Sequence, residues 1–392
     1  MQSKVAIVRC SDYEPANVRS AVFQAVELLG GIGSWVQPGQ KILLKPNLLS
    51  ARLPEAAVTT HPAVVEAVVE LCLQAGAKVS LGDSPPLAGE RESSYKRLLQ
   101  MTGMNGVAER TGAEIVRFEE AVTQIECPEG RYYKKFDVAR AVVDADVLIS
   151  IPKLKTHGLT YLTGAVKNIF GCIPGKRKAF FHAQAGDDRE TFAQMLVDLL
   201  RALPPQLSIM DAVVGMEGDG PVDGKIRPVG LILASVDPVA LDAVASAVLG
   251  IDPMIVETTR IASSEGLGVA DLKKIEVLGE PIENVTCSGF IEPRSKSLWT
   301  DIPRPIRQLL KSQLVPFPVV TSNCKSCGAC EQACPVQAIS NGHKRPHIDL
   351  SKCIRCYCCR EVCEHQGLEL KIGKLSACIQ AIGNIRRTII HK

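Results

Sequence analysis

The sequence lacks several features that would place it in a known class of protein. Its 392 residues include no apolar run of the roughly 18 to 20 residues that a membrane-spanning helix needs. The formal net charge of +3 predicts neither nucleic-acid binding nor an acidic tail. The segment Met1 to Arg9 has too short an apolar run for a signal peptide and is typical of a first β-strand. We therefore expect a cytoplasmic protein without a transmembrane segment.

Cysteine, in contrast, is abundant and regularly spaced. Eight of the 15 cysteines form two runs of the pattern Cys-x2-Cys-x2-Cys-x3-Cys: Cys324, Cys327, Cys330 and Cys334, then Cys353, Cys356, Cys359 and Cys363. Three thiolates on one tight loop suit three corners of a cubic cluster whose fourth ligand comes from elsewhere. Structural zinc and a disulfide framework are the alternatives, but zinc sites usually take two ligands from each knuckle. The spacing favours iron–sulfur clusters.

The two runs resemble those of bacterial ferredoxins that hold two [4Fe–4S] clusters. The resemblance implies that Cys324, Cys327, Cys330 and Cys363 bind one cluster, and that Cys353, Cys356, Cys359 and Cys334 bind the second. Pro335 follows the first run, but Glu364 stands where the second run would usually have proline. We expect the Glu364 carboxylate to lower the potential of the nearer cluster, and Cys358 to be a spectator.

Residues 1 to about 290 alternate short apolar runs with helical patterns. This alternation predicts an α/β domain with a largely parallel open sheet and helices on both faces. We place strands at 41–45, 77–82, 146–151 and 207–210, and helices after Thr60-His61-Pro62 and Asp237-Pro238. The predicted domains are the α/β domain at 1–290, a linker at 291–319, a ferredoxin-like α+β module at 320–373 and a tail at 374–392.

Polar residues follow four of the predicted strands. They are Lys45 and Asn47, then Asp83, then Lys153 and Lys155, and finally Asp211 with the loop to Glu217. Ligands of open α/β sheets bind outside the carboxyl ends of the strands. The residues after any single strand could be polar simply because the chain reaches solvent there. Because four exits do so, we predict one ligand-binding crevice.

The segment from 151 to 182 has the densest set of cations. Its lysines and arginine are interleaved with glycines that allow close backbone approach to a ligand, although a solvated basic face is the alternative. Lysines with exposed backbone N–H groups suit a phosphate or carboxylate. Neither a Walker A sequence nor G-x-G-x-x-G after a strand is present, so the sequence neither indicates nor excludes a nucleotide. The candidate substrate-binding residues are Lys45, Asn47, Asp83, Lys153, Lys155, Lys167, Asn168 and Lys176.

Candidate catalytic residues are His157, His182 and Glu217. Histidine near its ordinary pKa suits proton donation, although a single histidine is more often a structural hydrogen-bonding residue. Glu217 could bind a metal or act in acid–base chemistry, or it could belong to a solvated Gly-Pro turn. We expect Cys172 to be a buried structural thiol rather than a reactive one.

Several segments together resemble the family called domain of unknown function 362. They are Lys45 to Asn47, Lys153 to His157, Thr163 to Gly171, Glu217 to Pro221 and Asp237 to Asp242. The resemblance covers nearly all of residues 1 to 290, and members often have a C-terminal two-cluster ferredoxin module. It implies a family but little mechanism.

The leading hypothesis is an oxidoreductase in which two [4Fe–4S] clusters pass electrons to or from an anionic substrate or cofactor in the α/β domain. A ferredoxin-type carrier that docks to a partner enzyme is the alternative, and Arg294 to Lys311 could then be a basic docking helix rather than a plain linker. A third possibility is that the clusters only hold the C-terminal part of the chain together, and that the α/β domain acts without electron transfer. We expect a redox partner protein; the substrate and any additional organic cofactor are not indicated.

Overall fold

The computed structural model describes residues 3–86, 89, 91–186, 188–293, 315–341, 345–371 and 373. The docking-helix prediction for 294–311 and the tail prediction for 374–392 both lie outside the described residues. Two regions are distinct: a large α/β sheet domain formed by the first part of the chain, and a small module that contains both cysteine runs.

The sheet domain contains twelve of the described strands. In chain order they are β1 (Ser3–Arg9), β2 (Lys41–Pro46), β3 (Lys78–Leu81), β4 (Glu114–Ile115), β5 (Val122–Glu126), β6 (Lys135–Ala139), β7 (Val147–Ile151), β8 (Lys153–His157), β9 (Tyr161–Thr163), β10 (Leu207–Glu217), β11 (Lys225–Ser235) and β12 (Ile275–Gly279).

Helices connect most of these strands. They are α1 (Pro15–Leu28), α2 (Pro62–Gln74), α3 (Glu92–Met101), α4 (Met104–Thr111), α5 (Arg140–Asp144), α6 (Ala165–Asn168), α7 (Arg177–Ala185), α8 (Arg189–Ala202), α9 (Pro238–Val248), α10 (Glu257–Ser264) and α11 (Ile282–Val285). Short 3-10 turns are found at Ile32–Ser34, Pro54–Ala56, Ile169–Cys172, Pro253–Ile255 and Leu272–Lys274.

The main sheet has the strand order β12-β1-β11-β10-β7-β2-β3-β4. Along this path β11 runs antiparallel to both of its neighbours, and the remaining pairs are parallel. The β8 strand continues from β7 past Pro152 and pairs with the second half of β10 and with β9. The carboxyl ends of β2, β3 and β7 therefore meet at one edge, with β8 extending above it.

Helices cover both faces of the sheet, and the side chains of β1 show why. Val5 and Ile7 point into the layer that contains α8 and α9, whereas Ala6 and Val8 point into the layer of α1 and α2. Successive residues of a strand face opposite sides, so a strand that is apolar on both sides must be covered twice. The predicted α/β fold class is confirmed.

The small module is the predicted α+β ferredoxin-like unit. It contains two antiparallel pairs, β13 (Phe317–Val320) with β16 (Leu368–Lys371) and β14 (Ile339–Asn341) with β15 (Pro346–Ile348), which flank the cysteine runs along the chain. Each run includes one single-turn helix, Ala329–Gln332 in the first and Cys358–Glu361 in the second. No helix among the described residues is long and apolar enough to cross a membrane.

Candidate functional site

A cavity lies between the carboxyl edge of the sheet and the small module. The sheet domain contributes residues that follow β2 and β3 and residues of the basic segment, chiefly Lys45, Asn47, Asp83, Ser84, Lys167, Asn168, Phe170, Gly171, Lys176, Lys178 and His182. The small module contributes Gln332 and Ala333 from the first cysteine run, and Cys358, Glu361 and Val362 from the second. Both regions of the chain thus form one wall each.

The Lys45–Asp83 ion pair forms the floor of the cavity. Lys45 is fully buried, and its Nζ lies 2.8 Å from Oδ1 of Asp83. The same Nζ donates to Oδ1 of Asn168 at 3.2 Å, and Oδ2 of Asp83 accepts from the Leu48 amide at 2.7 Å. A Cβ at Gly171 would lie 2.1 Å from Oδ1 of Asp83, so only glycine lets the 3-10 turn approach this pair.

Lys167 is a cation that lines the cavity and forms no ion pair with any described residue. Among the residues that the structure describes, no carboxylate lies within ion-pair distance of its Nζ, which instead lies 6.0 Å from the centroid of the Phe170 ring. Burial lowers the pKa of Lys167, and the nearby carboxylate of Glu361 opposes that shift. A cation in this setting gains electrostatic energy when an anion enters the cavity.

Lys178 lies at the start of α7 and is anchored to the loop after β3. Its Nζ donates to the carbonyl oxygen of Ser84 at 2.6 Å and to the Ser84 hydroxyl at 2.9 Å. Burial lowers the pKa of Lys178 to about 8, although Asp83 and Glu119 act in the opposite direction. This lysine therefore loses its charge at a much lower pH than an exposed lysine would.

His182 also lies on α7 and is almost fully buried, with its ring stacked on Phe192 at 4.4 Å. Burial lowers the pKa of His182 to about 4, so the imidazole is neutral at neutral pH. Its Nδ1 has no hydrogen-bond partner in the part of the chain that the structure describes. Cys172 is buried nearby, and burial raises the pKa of its thiol to about 12, as befits an unreactive thiol.

Glu361 brings a carboxylate from the small module to this site. Its Oε1 lies 3.2 Å from Nε2 of His157, although the two groups are poorly aligned for a hydrogen bond. The Nδ1 of His157 accepts from the amides of Leu159 at 2.9 Å and Thr160 at 3.2 Å, which places the ring proton on Nε2, towards Glu361.

The electrostatic environment fixes the charges of this pair. Burial lowers the pKa of His157 to about 3, with help from Lys167. Burial would raise the pKa of Glu361, but His157 and Lys167 hold it at about 2. At neutral pH the pair is thus a carboxylate beside a neutral imidazole. No sequence signal identified Glu361, because nothing in a ferredoxin pattern shows which side of the loop faces another domain.

Four predicted site residues lie outside the cavity lining: Lys153, Lys155, His157 and Glu217. The Nζ of Lys155 donates to Oδ1 of Asn47 at 2.7 Å, so this lysine supports a lining residue from behind. The Oε2 of Glu217 accepts from the Ile291 amide at 3.0 Å. Ligand contact by any of the four stays a prediction.

Lys153 belongs to a separate buried network. Its Nζ lies 2.8 Å from Oδ2 of Asp211 and donates to the Tyr13 hydroxyl at 2.6 Å. The Tyr13 hydroxyl in turn donates to Oδ1 of Asp211 at 2.8 Å, and the Tyr13 ring stacks on His61 with centroids 3.6 Å apart. This network joins the start of α1 and α2 to β8 and β10, and sequence reasoning did not foresee Tyr13 or His61 in it.

The cysteines of the small module approach each other across the two runs. Cys324, Cys327 and Cys330 line one cavity together with Cys363, the last cysteine of the second run. Backbone amides point at several sulfurs: Gly367 N lies 3.2 Å from Sγ of Cys363, and Ala338 N lies 3.1 Å from Sγ of Cys334. Amides directed at sulfur suit thiolate ligands, and every cysteine among the described residues is a free thiol. These residues fit an iron–sulfur cluster.

Polar contacts attach the small module to the sheet domain. Nε of Arg360 lies 2.8 Å from Oδ2 of Asp223, and this arginine is almost fully buried. Arg52 donates to the carbonyl oxygen of Cys363 at 3.1 Å. Glu364, the residue in place of proline, pairs with Nη1 of Arg97 at 2.5 Å. The arginine offsets part of the negative charge that we expected Glu364 to place near a cluster.

The fold and the cysteine module define the class: an α/β protein joined to an iron–sulfur module. The chain belongs to the family described as "Domain of unknown function (DUF362)", whose profile matches residues 42–247, and residues 317–340 match the "4Fe-4S binding domain". The predicted family is confirmed. The matched region of the second profile includes the first cysteine run but not the second.

Two curated proteins are similar to this chain. A thylakoid-associated protein of a Synechocystis species is 35% identical over 323 residues, which cover 81% of this chain and 96% of that protein. The trichloroethene reductive dehalogenase of Dehalococcoides mccartyi is 32% identical over 102 residues, or 21% of this chain and 17% of the dehalogenase. Thylakoid association and dehalogenation are properties of those proteins, and a cytoplasmic location for this chain stays a prediction.

Two solved structures show a distant likeness. The lactate racemase apoprotein from Thermoanaerobacterium thermosaccharolyticum has a TM-score of 0.40 at 14% identity, over 64% of this chain and 58% of that chain. A Thermotoga maritima protein from a structural genomics effort has a TM-score of 0.37 at 13% identity, over 66% of this chain and 60% of that chain. Neither likeness is close enough to indicate a function.

Proposed function

We propose that this protein is an iron–sulfur oxidoreductase that binds an anionic substrate or cofactor between its α/β domain and its ferredoxin-like module. The observation that supports this function best is the shared cavity. Its floor comes from the strand exits of the sheet, and its opposite wall comes from residues that lie between the cysteines of both runs. A ligand in this cavity would contact the basic segment and the cysteine loops at the same time.

The positive charges favour an anionic ligand. Lys167 and Lys178 line the cavity, and Lys45 is already committed to Asp83. We assign Lys167 the role of principal anion-binding residue, because its cation has no ion-pair partner among the described residues. Lysine binds phosphate and carboxylate as a point charge, so the proposed ligand class includes both.

We assign proton transfer to His182 and support of the site to the His157–Glu361 pair. The Nδ1 of the neutral His182 ring has no hydrogen-bond partner within the described part of the chain, so it can accept a proton from a ligand group. His157 is held by two backbone amides, and it helps to keep the Glu361 carboxylate charged. We give Lys153, Lys155 and Glu217 supporting roles, because all three lie outside the cavity lining and bond to other residues of the α/β domain.

We further propose two [4Fe–4S] clusters, one held by Cys324, Cys327, Cys330 and Cys363, and one held by Cys353, Cys356, Cys359 and Cys334. When bound, such clusters donate or accept single electrons. The approach of Cys363 to the first run supports this crossed assignment. A redox partner protein would then be the external source or acceptor of electrons.

The test is purification of the full chain without oxygen, followed by iron and sulfide analysis, EPR spectroscopy of the reduced protein and mass spectrometry of any compound that co-purifies. We expect about eight irons per chain, a low-potential EPR signal and a bound phosphate- or carboxylate-containing compound. Reduced protein should be reoxidised by that compound. Full clusters without any ligand that reoxidises them would instead favour a ferredoxin-type carrier, and zinc in place of iron would refute both.

A further inference from the structure

The two cysteine loops are matched residue by residue, but they differ in charge. Cys324-Lys-Ser-Cys327 in the first run corresponds to Cys353-Ile-Arg-Cys356 in the second, so Ser326 and Arg355 occupy equivalent positions. Both have positive φ, 51° at Ser326 and 61° at Arg355. The backbone therefore follows the same path in both loops while the side chains differ.

Arg355 is a buried cation that forms no ion pair with a carboxylate among the described residues. Only 5% of the residue is exposed, and neither Nε nor Nη1 has a hydrogen-bond partner within the described residues. Its guanidinium lies 5.5 Å from the centroid of the Phe317 ring. Arg360, which is equally buried in the same module, forms an ion pair with Asp223. A buried charge is normally paired, so Arg355 requires a negative group, and no described carboxylate forms an ion pair with it.

We propose, on the basis of the two-cluster function proposed above, that Arg355 is the charge partner of the site formed by Cys353, Cys356, Cys359 and Cys334, and that it gives this site the higher reduction potential of the two. Four thiolates make such a site negative overall in both oxidation states. Reduction adds one electron, with no bond made or broken, and makes the site more negative. A fixed positive charge nearby stabilises the reduced state more than the oxidised state.

Among the described residues, the loop of the first site has no equivalent buried charge. Its loop contains Lys325, which is exposed, and Cys327 is exposed as well. Solvent and salt screen an exposed cation much more strongly than a buried one. Cys356 and Cys359 of the second site are buried. Electrons that enter at the exposed first site would therefore move downhill to the second.

The test is an EPR-monitored redox titration of anaerobically purified full-length protein, with dithionite as reductant. We expect Arg355→Gln to lower the reduction equilibrium constant of one cluster at least tenfold, which is 59 mV for a one-electron couple, and to leave the other unchanged. Arg355→Lys keeps the charge and should retain most of the wild-type potential. Lys325→Gln is the matched control at the exposed loop. It should change the reduction potential by a smaller amount, and this change should disappear at high salt.

A second variant tests the proposal if Arg355→Gln does not assemble its clusters. Ser326→Arg places the cation at the equivalent position, and it should raise the potential of the other cluster. Intact clusters with unchanged potentials in Arg355→Gln would overturn the assignment, as would equal shifts in Arg355→Gln and Arg355→Lys. If Arg355→Gln does not assemble, an unchanged potential in Ser326→Arg would overturn it. Fewer than about eight irons in the wild type would instead refute the two-cluster proposal itself.

Discussion

Two lysines of one basic segment have opposite surroundings. Lys153 is 1% exposed and is held by Asp211 and Tyr13 in a complete buried network. Lys167 faces the cavity, and no described carboxylate pairs with it. A paired buried lysine maintains the fold, whereas an unpaired lysine at a cavity is available for a ligand. The difference shows that partners, rather than residue type, separate a structural cation from a binding cation.

The largest expected effect is on stability, at the structural lysine. Lys153→Met leaves the Asp211 carboxylate buried without its cation, which should lower the free energy of unfolding by about 3–5 kcal/mol. Urea denaturation followed by circular dichroism measures this loss. Lys78→Met, on the exposed amino end of β3, is the control and should change stability by less than about 0.5 kcal/mol. Equal stability of the two variants would contradict a structural role for Lys153.

Lys167→Gln should weaken ligand binding without lowering stability, which is the reverse of the effect expected for Lys153→Met. Loss of a charge-assisted contact of about 1.5–3 kcal/mol should weaken retention of the bound anion about ten- to hundredfold. The free energy of unfolding should not fall, because the substitution removes a partly desolvated charge. Mass spectrometry of the compound retained after dialysis provides the measurement, with Lys78→Gln as the control. Unchanged retention would show that Lys167 does not bind the ligand.

Lys178 should make anion retention depend on pH. Its pKa of about 8 means that the charge is present below pH 8 and is lost above it, so retention should fall by no more than about tenfold per pH unit there. Because this pKa lies below the ordinary value of 10.5, the unfolded chain binds more protons between those values. The contribution of Lys178 to unfolding free energy should therefore rise with pH in that window. Lys178→Met should abolish both trends.

The smallest effect is expected at the exposed attachment of the small module. Arg97 and Glu364 have side chains that are 57% and 33% exposed, so Arg97→Ala should cost no more than about 1 kcal/mol. Thermal unfolding of the holo-protein at low and high salt measures this value, and the difference from the wild type should shrink at high salt. A loss as large as that of Lys153→Met would mean that this ion pair is as important as the buried network.

Periodicity and spacing predicted the fold well in this chain. The alternation of apolar runs and helical patterns led to the confirmed α/β class, and the strand exits at Lys45 and Asp83 meet at one edge because β2 and β3 are parallel neighbours. The strand order could not be predicted, because the antiparallel β11 and the extension of β7 into β8 depend on long-range pairing. Such pairing leaves no local pattern in the sequence.

The cavity was only partly predictable for a similar reason. The lysines and glycines of the basic segment could be recognised in the sequence. Whether a given lysine pairs with Asp211 or lines the cavity depends on residues far away in the chain. Glu361 is the clearest example, because it lies between two cysteines and reaches the α/β domain only through the docking of the module. The pairing of Tyr13 with Asp211 spans 198 positions and was equally invisible.

The position of Glu361 also sets an order for the maturation of the protein. The carboxylate that completes the cavity comes from the late part of the chain, within a loop that we expect to be ordered by its metal cluster. On the proposed function, we expect the sheet domain to fold first and the binding site to be completed only after iron and sulfide have been inserted. We therefore expect cells short of iron to accumulate a folded but ligand-free form.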